Sequence, residues 1–125
     1  MTVTGIDHVQ VAAPAGCEAE ARAFYGALLG LEELPKPEAL AARGGCWFRA
    51  GAQELHVGVE DPFTPARKAH PSFIVTDLDA LAAKLTGAGH DVAYDDLIPG
   101  TKRFYAADPF GNRLEFRGAF LAERT

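Results

Sequence analysis

The chain has 125 residues, a formal net charge of −5, 48% hydrophobic and 23% charged residues. That length suits a single domain burying roughly two-thirds of its unfolded surface without staples, and the mix excludes a disordered or low-complexity chain. The acidic balance, with no run of like charges, argues against a nucleic-acid partner, and no apolar run approaches the ~18 residues of a membrane span.

Cys17 and Cys46 have no C-x-x-C spacing and read as two free thiols in a reducing compartment. Met1–Asp7 lacks the basic region and apolar stretch of a signal peptide, so a cytoplasmic protein is expected.

In chain order, Gly5–Ala12 alternates as a strand and is stopped by Pro14 and Gly16. Glu18–Leu29 carries an apolar stripe at helical spacing and ends at Gly30. Leu31–Leu34 reads as a short strand, Glu38–Arg43 as one helical turn, and Cys46–Arg49 and Gln53–Val59 as strands broken by Gly51-Ala52. Asp61–Ala69, with two prolines, reads as a linker. The pattern then restarts. His70–Val75 is a strand, Leu78–Leu85 a helix with Asp77 or Thr76 as N-cap, and Val92–Tyr94 and Arg103–Ala106 are strands. Asp108–Asn112 is a turn with a structural job, Arg113–Phe116 the last strand, and beyond Gly118 the tail frays or packs locally.

The order β-α-β-β-β therefore occurs twice, in modules spanning approximately 4–60 and 69–118 of one 1–125 domain of the α+β class. His8 and His70 lie 62 residues apart; Gly30 and Gly89, and His56 and Glu115, each lie 59 apart. Strand alternation puts Val9, Val11, Leu55, Val57, Phe73, Val75, Leu114 and Phe116 on the face expected under the helices. His8, Gln10, Glu54, His56, His70, Ser72, Arg113, Glu115 and Arg117 fall on the opposite face. Trp47 and Phe48 are expected in the core or a dimer contact.

Imidazole nitrogen and carboxylate oxygen held by different strands are the donors a divalent metal wants in a catalytic site. His8, His56, His70 and Glu115 supply such donors, and a carboxylate in the apolar strand Leu114-Glu115-Phe116 is expensive to bury without a partner. Arg103, Arg113 and Arg117, with Tyr105, are candidates for holding an anionic or enediolate-like substrate.

Four stretches, Ile6-Asp7-His8-Val9-Gln10-Val11, Glu54-Leu55-His56-Val57, His70-Pro71-Ser72-Phe73-Ile74-Val75 and Asp108–Phe116, resemble the ligand strands of the vicinal-oxygen-chelate superfamily, which includes glyoxalases, bleomycin-resistance proteins and extradiol dioxygenases. Phe24–Leu31 is similar to the family's helix signature. The resemblance implies paired βαβββ modules in an open, mostly antiparallel barrel-like sheet, a homodimer, and one divalent metal ion (zinc, nickel, manganese or iron(II)) chelated by neighbouring oxygens of a small-molecule substrate. It carries His8, His70 and Glu115 over as ligands. The second ligand position is open between Glu54 and His56, with His56 favoured because Leu55-His56-Val57 aligns with Leu114-Glu115-Phe116. Glu115 or Glu54 would be the catalytic base of a lyase, isomerase or dioxygenase. The alternative is a bleomycin-resistance-like protein that sequesters a small molecule without catalysis.

Overall fold

In the computed structural model, which describes residues 2–119, the chain divides into two units between Ala66 and Arg67, inside the expected linker. The tail beyond Ala119 lies outside the described residues. The first unit holds β1 (His8–Ala13), α1 (Glu18–Ala21) running into a π-helical segment (Arg22–Leu28), β2 (Glu32–Leu34), the short α2 (Glu38–Ala41), β3 (Cys46–Ala50) and β4 (Gln53–Val59). The second holds β5 (Ser72–Val75), α3 (Leu78–Gly87), β6 (Ala93–Asp95), β7 (Arg103–Ala107) and β8 (Arg113–Gly118). No helix among the described residues is long and apolar enough to cross a membrane.

Each unit is built on a four-stranded mixed sheet, ordered β1-β4-β3-β2 and β5-β8-β7-β6. In each, the first pairing is parallel and the other two are antiparallel. The ladders also end alike: Glu60 N donates to the Ala13 carbonyl at 2.9 Å, and Ala119 N to the Val75 carbonyl at 2.8 Å. Counting back from those bonds puts His70 at the place His8 holds in its own unit, and Glu115 at the place of His56. The spacings of 62 and 59 residues seen in the sequence are thus the spacings of the folded repeat.

Local chemistry sets the elements. Asp77 caps α3, its carboxylate accepting from Ala80 N at 3.1 Å. Gly30 and Gly89 follow the helix ends with φ of +76° and +91°, the left-handed C′ conformation that glycine adopts without strain. β5 starts at Ser72 rather than His70, because Pro71 has no N–H for the ladder and the residue before it is constrained.

The expected single α-helix over Glu18–Leu29 is instead a short α-turn that widens to π geometry, with Leu29 N bonded to Phe24 O at 2.9 Å. The wider turn narrows the angle between successive side chains, and Phe24 and Tyr25 are both fully buried, meeting edge-on at 5.0 Å.

Val11, Ala13, Phe48, Leu55 and Val57 complete the first core; Leu78, Ala82, Leu85, Phe104, Leu114 and Phe116 form the second. Each large side chain buried contributes about 1.5–3 kcal/mol. Val9, expected on the buried face, is 39% exposed. It sits near the start of an edge strand, while the π-helical segment packs on β2 and β3. Phe73 and Val75, on edge strand β5, are half-buried for the same reason.

Candidate functional site

In the first unit, β4 fixes the site face through two registers. Gln10 and Trp47 flank His56, and His8 and Arg49 flank Glu54. His56 is buried at 5% exposure between two rings: Trp47 lies 4.1 Å away with planes 5° apart, and His8 lies 4.0 Å away at 14°. Its Nε2 is 2.9 Å from Glu54 Oε1, and Arg49 stands 3.9 Å from the other Glu54 oxygen. His8 is exposed, with Nδ1 2.9 Å from Asp7 Oδ2. Glu54 and His56, competitors for one ligand position in the sequence, are hydrogen-bonded partners.

Of the two places expected for Trp47, the core is excluded, since the side chain is half-buried. Phe48 is in the core, but Trp47 belongs to the polar face as the platform under His56. The signal was available: a two-residue break at Gly51-Ala52 pairs Ala50 with Gln53, and that register sets Trp47 opposite His56.

In the second unit, Glu115 on β8 is flanked by Ser72 and Tyr105 and is 2% exposed. Its Oε1 lies 3.0 Å from His70 Nε2. Its Oε2 accepts from Arg117 Nε at 2.5 Å and Arg103 Nη1 at 3.4 Å. Burial pushes the Glu115 carboxyl up, but the hydrogen bonds from Arg117 and His70 and the Arg117 charge outweigh it and hold the group down at about 2. Arg103 also reaches Asp95 Oδ1 at 3.3 Å, and its Nε is buried without a hydrogen-bond partner among the described residues. Tyr105 has the Arg113 guanidinium 4.1 Å and the Arg103 guanidinium 5.2 Å from its ring centre, with His70 edge-on at 5.5 Å.

The four expected substrate-binding residues therefore divide. Arg103 and Arg117 are spent on Glu115, whereas Arg113 and Tyr105 are not. The four expected metal ligands occur as two contacts, His8 on His56 and His70 on Glu115. Among the described residues, no group of three His, Cys, Asp or Glu side chains is assembled to hold a metal.

The donor chemistry at His70 nevertheless suits a cation. Nδ1 lies 2.8 Å from the Lys68 carbonyl and Nε2 lies 3.0 Å from a carboxylate, so both neighbours are acceptors. A neutral imidazole has one N–H. His70 Nε2 and Glu115 Oε1 would serve as donors to a divalent cation, and a backbone carbonyl on Nδ1 is the usual outer partner of a ligating histidine.

The turn before β8 is structural, as its composition implied. Asp108 Oδ1 accepts from Phe110 N and Asn112 N, each at 2.9 Å, and Oδ2 accepts from Asn112 Nδ2 at 2.9 Å.

Two βαβββ units with a polar, histidine- and carboxylate-bearing sheet face define a domain of the vicinal-oxygen-chelate superfamily. The glyoxalase-like domain family matches residues 10–116, and the chain belongs to it. A protein assigned to the glyoxalase family from Bacillus anthracis is 55% identical with a TM-score of 0.91, covering 96% of this chain and 98% of its own. Two more distant structures share the fold. Lactoylglutathione lyase from Agrobacterium tumefaciens is 21% identical (TM-score 0.73; 95% and 96% covered). The fosfomycin resistance protein FosX from Listeria monocytogenes is 15% identical (TM-score 0.77; 99% and 100% covered). No curated protein matches the sequence.

Proposed function

We propose that this chain is a metal-dependent, glyoxalase-like enzyme acting on a small substrate that presents two neighbouring oxygens, with His8, His56, His70 and Glu115 as the ligands of one divalent ion. The observation that carries the reading is His70 set between two acceptors, the Lys68 carbonyl and Glu115. Superfamily members generally use a divalent metal, and the family match runs across both units, which supports reading 1–125 as one functional domain. When bound, the ion would supply Lewis-acid polarisation of a substrate carbonyl.

The chain's own residues divide the remaining work. Arg117 and Arg103 keep Glu115 ionised and oriented. With both oxygens engaged, Glu115 serves as a donor atom rather than a proton carrier. Glu54, half-buried and bonded to His56 Nε2, is the base that takes a substrate proton and returns it. The ion's identity is open among zinc, nickel, manganese and iron(II), since imidazole and carboxylate suit all four. The setting is cytoplasmic, in keeping with two unpaired cysteines. The protein pairs with a second copy, covering Ile74 (74% exposed) on edge strand β5. A single mass equal to one chain in light scattering at all concentrations overturns that pairing.

A second reading, a bleomycin-resistance-like binder without catalysis, draws on one observation: the two arginines already neutralise Glu115. Elemental analysis of the purified protein separates the two. Near-stoichiometric divalent metal, lost in both His70→Ala and Glu115→Ala, supports the enzyme. A metal-free protein that binds a bulky cationic drug supports the binder.

A further inference from the structure

The arginines of the second unit are not equivalent, and the difference marks a subsite. Arg103 and Arg117 are ion-paired, to Asp95 and Glu115. Arg113 has no carboxylate partner among the described residues and lies over the Tyr105 ring, 4.1 Å from its centre. Arg67, at the start of the unit, is exposed and likewise has none. Both line one cavity of about 290 Å³, whose other walls include Tyr105, Asp91 and short side chains at Val92, Ala93 and along β7. Asp91 is the single acidic residue on that wall.

We propose that this cavity binds the anionic end of the substrate: a carboxylate or phosphoryl group on a short apolar body, held by the forks of Arg67 and Arg113. A guanidinium presents parallel N–H donors matched to the oxygens of such a group, and two in one small cavity outweigh the one carboxylate there. The cation–π contact with Tyr105 holds the Arg113 guanidinium in place before a ligand arrives, which lowers the ordering needed on binding. Val92, Ala93, Ala106 and Ala107 leave room beside the arginines for a few carbons and offer them no hydrogen bond. Tyr105 pairs with Glu115 in the sheet register, so an anion anchored here directs its other end along the face that carries Glu115. The inference deepens the function proposed above by naming the charge and size of its substrate.

Butyrate, butyl phosphate and neutral butanol titrated into full-length protein, followed by NMR shifts, test it. Both anions are expected to bind and butanol not, and the tighter anion names the head group. Arg67→Ala and Arg113→Ala should each weaken anion binding about tenfold. Arg113→Lys, which retains charge but not the fork, should fall between, guarding against a folding defect in the alanine variant. Lys102→Ala, removing a cation elsewhere on the unit, should leave binding unchanged. Butanol binding as well as butyrate, or both alanine variants matching wild type, overturns the subsite. The titration is repeated after chelator treatment. Binding that persists there keeps the subsite even if the metal reading fails, and bound metal without arginine-dependent anion binding keeps the metal reading alone.

Discussion

Trp47 lies flat against His56, ring centres 4.1 Å apart and planes 5° from parallel, while His8 covers the other side of the same imidazole at 4.0 Å. Trp47 is the chain's single tryptophan, so its emission reports on this stack alone. An imidazole in face contact quenches indole fluorescence. His56→Ala is therefore expected to raise the emission intensity, and a divalent ion added to chelator-treated protein to change it. Unaltered emission in both experiments would show that the stack does not persist in solution.

Glu54 and His56 share one hydrogen bond at 2.9 Å, which gives a way to separate their roles. Elemental analysis of bound metal should show a loss in His56→Ala and near-wild-type occupancy in Glu54→Ala. The reverse result would exchange the two assignments, making Glu54 the ligand and His56 its orienting partner.

The repeat and most of the site face were legible in the sequence because both rest on strand alternation and glycine punctuation. His56 and Glu115, 59 residues apart, are buried polar residues at matching places in their units. What was not legible depends on register and on long side chains. The π-turn arises from the joint burial of Phe24 and Tyr25, for which the helical stripe has no separate signature. The commitment of Arg103 and Arg117 to Glu115 follows from cross-strand pairing of Arg103 with Arg117, and Arg67 lay in what read as a linker. Val9 had the right parity but the wrong end of an edge strand.

Asp108 organises the turn before β8 through three accepted hydrogen bonds, and both it and Asn112 are buried. Asp108→Ala leaves two backbone N–H groups and the Asn112 amide without that partner. The expected loss is about 3 kcal/mol in urea denaturation, since each buried unsatisfied group costs about 1–3 kcal/mol. Asp108→Asn retains an acceptor for the backbone donors and should lose less. Equal stability of the alanine variant would mean the turn is held by other contacts.

Gly45 has φ +86°, and a Cβ there would sit 2.1 Å from the Val57 carbonyl oxygen. Backbone cannot yield as a side-chain tip can, so Gly45→Ala must pull β3 away from β4. Its N–H also donates to Glu18 Oε2 at 2.6 Å, a bond the displaced turn would stretch. A loss of at least about 3 kcal/mol is expected, visible as a lowered urea midpoint. A wild-type midpoint would refute the close approach.

Cys17 and Cys46 are buried in the first unit and unpaired. Burial, with the nearby Glu18 and Cys46 adding to it, pushes the Cys17 thiol up from 9.0 to about 11, and burial also raises Cys46. A thiol reacts as its thiolate, so neither should react with a disulfide reagent in native protein at pH 8, and both should react in denaturant. The shift also sets a pH dependence of stability. Between pH 9 and about 11 the unfolded chain releases the Cys17 proton while the folded chain retains it. The unfolded state then binds fewer protons, and stability must fall as pH rises through that window. Cys17→Ala removes this titration and should flatten the decline, measured as urea midpoint against pH. An unchanged slope in the variant, or full thiol labelling of native protein at pH 8, would place Cys17 in contact with water.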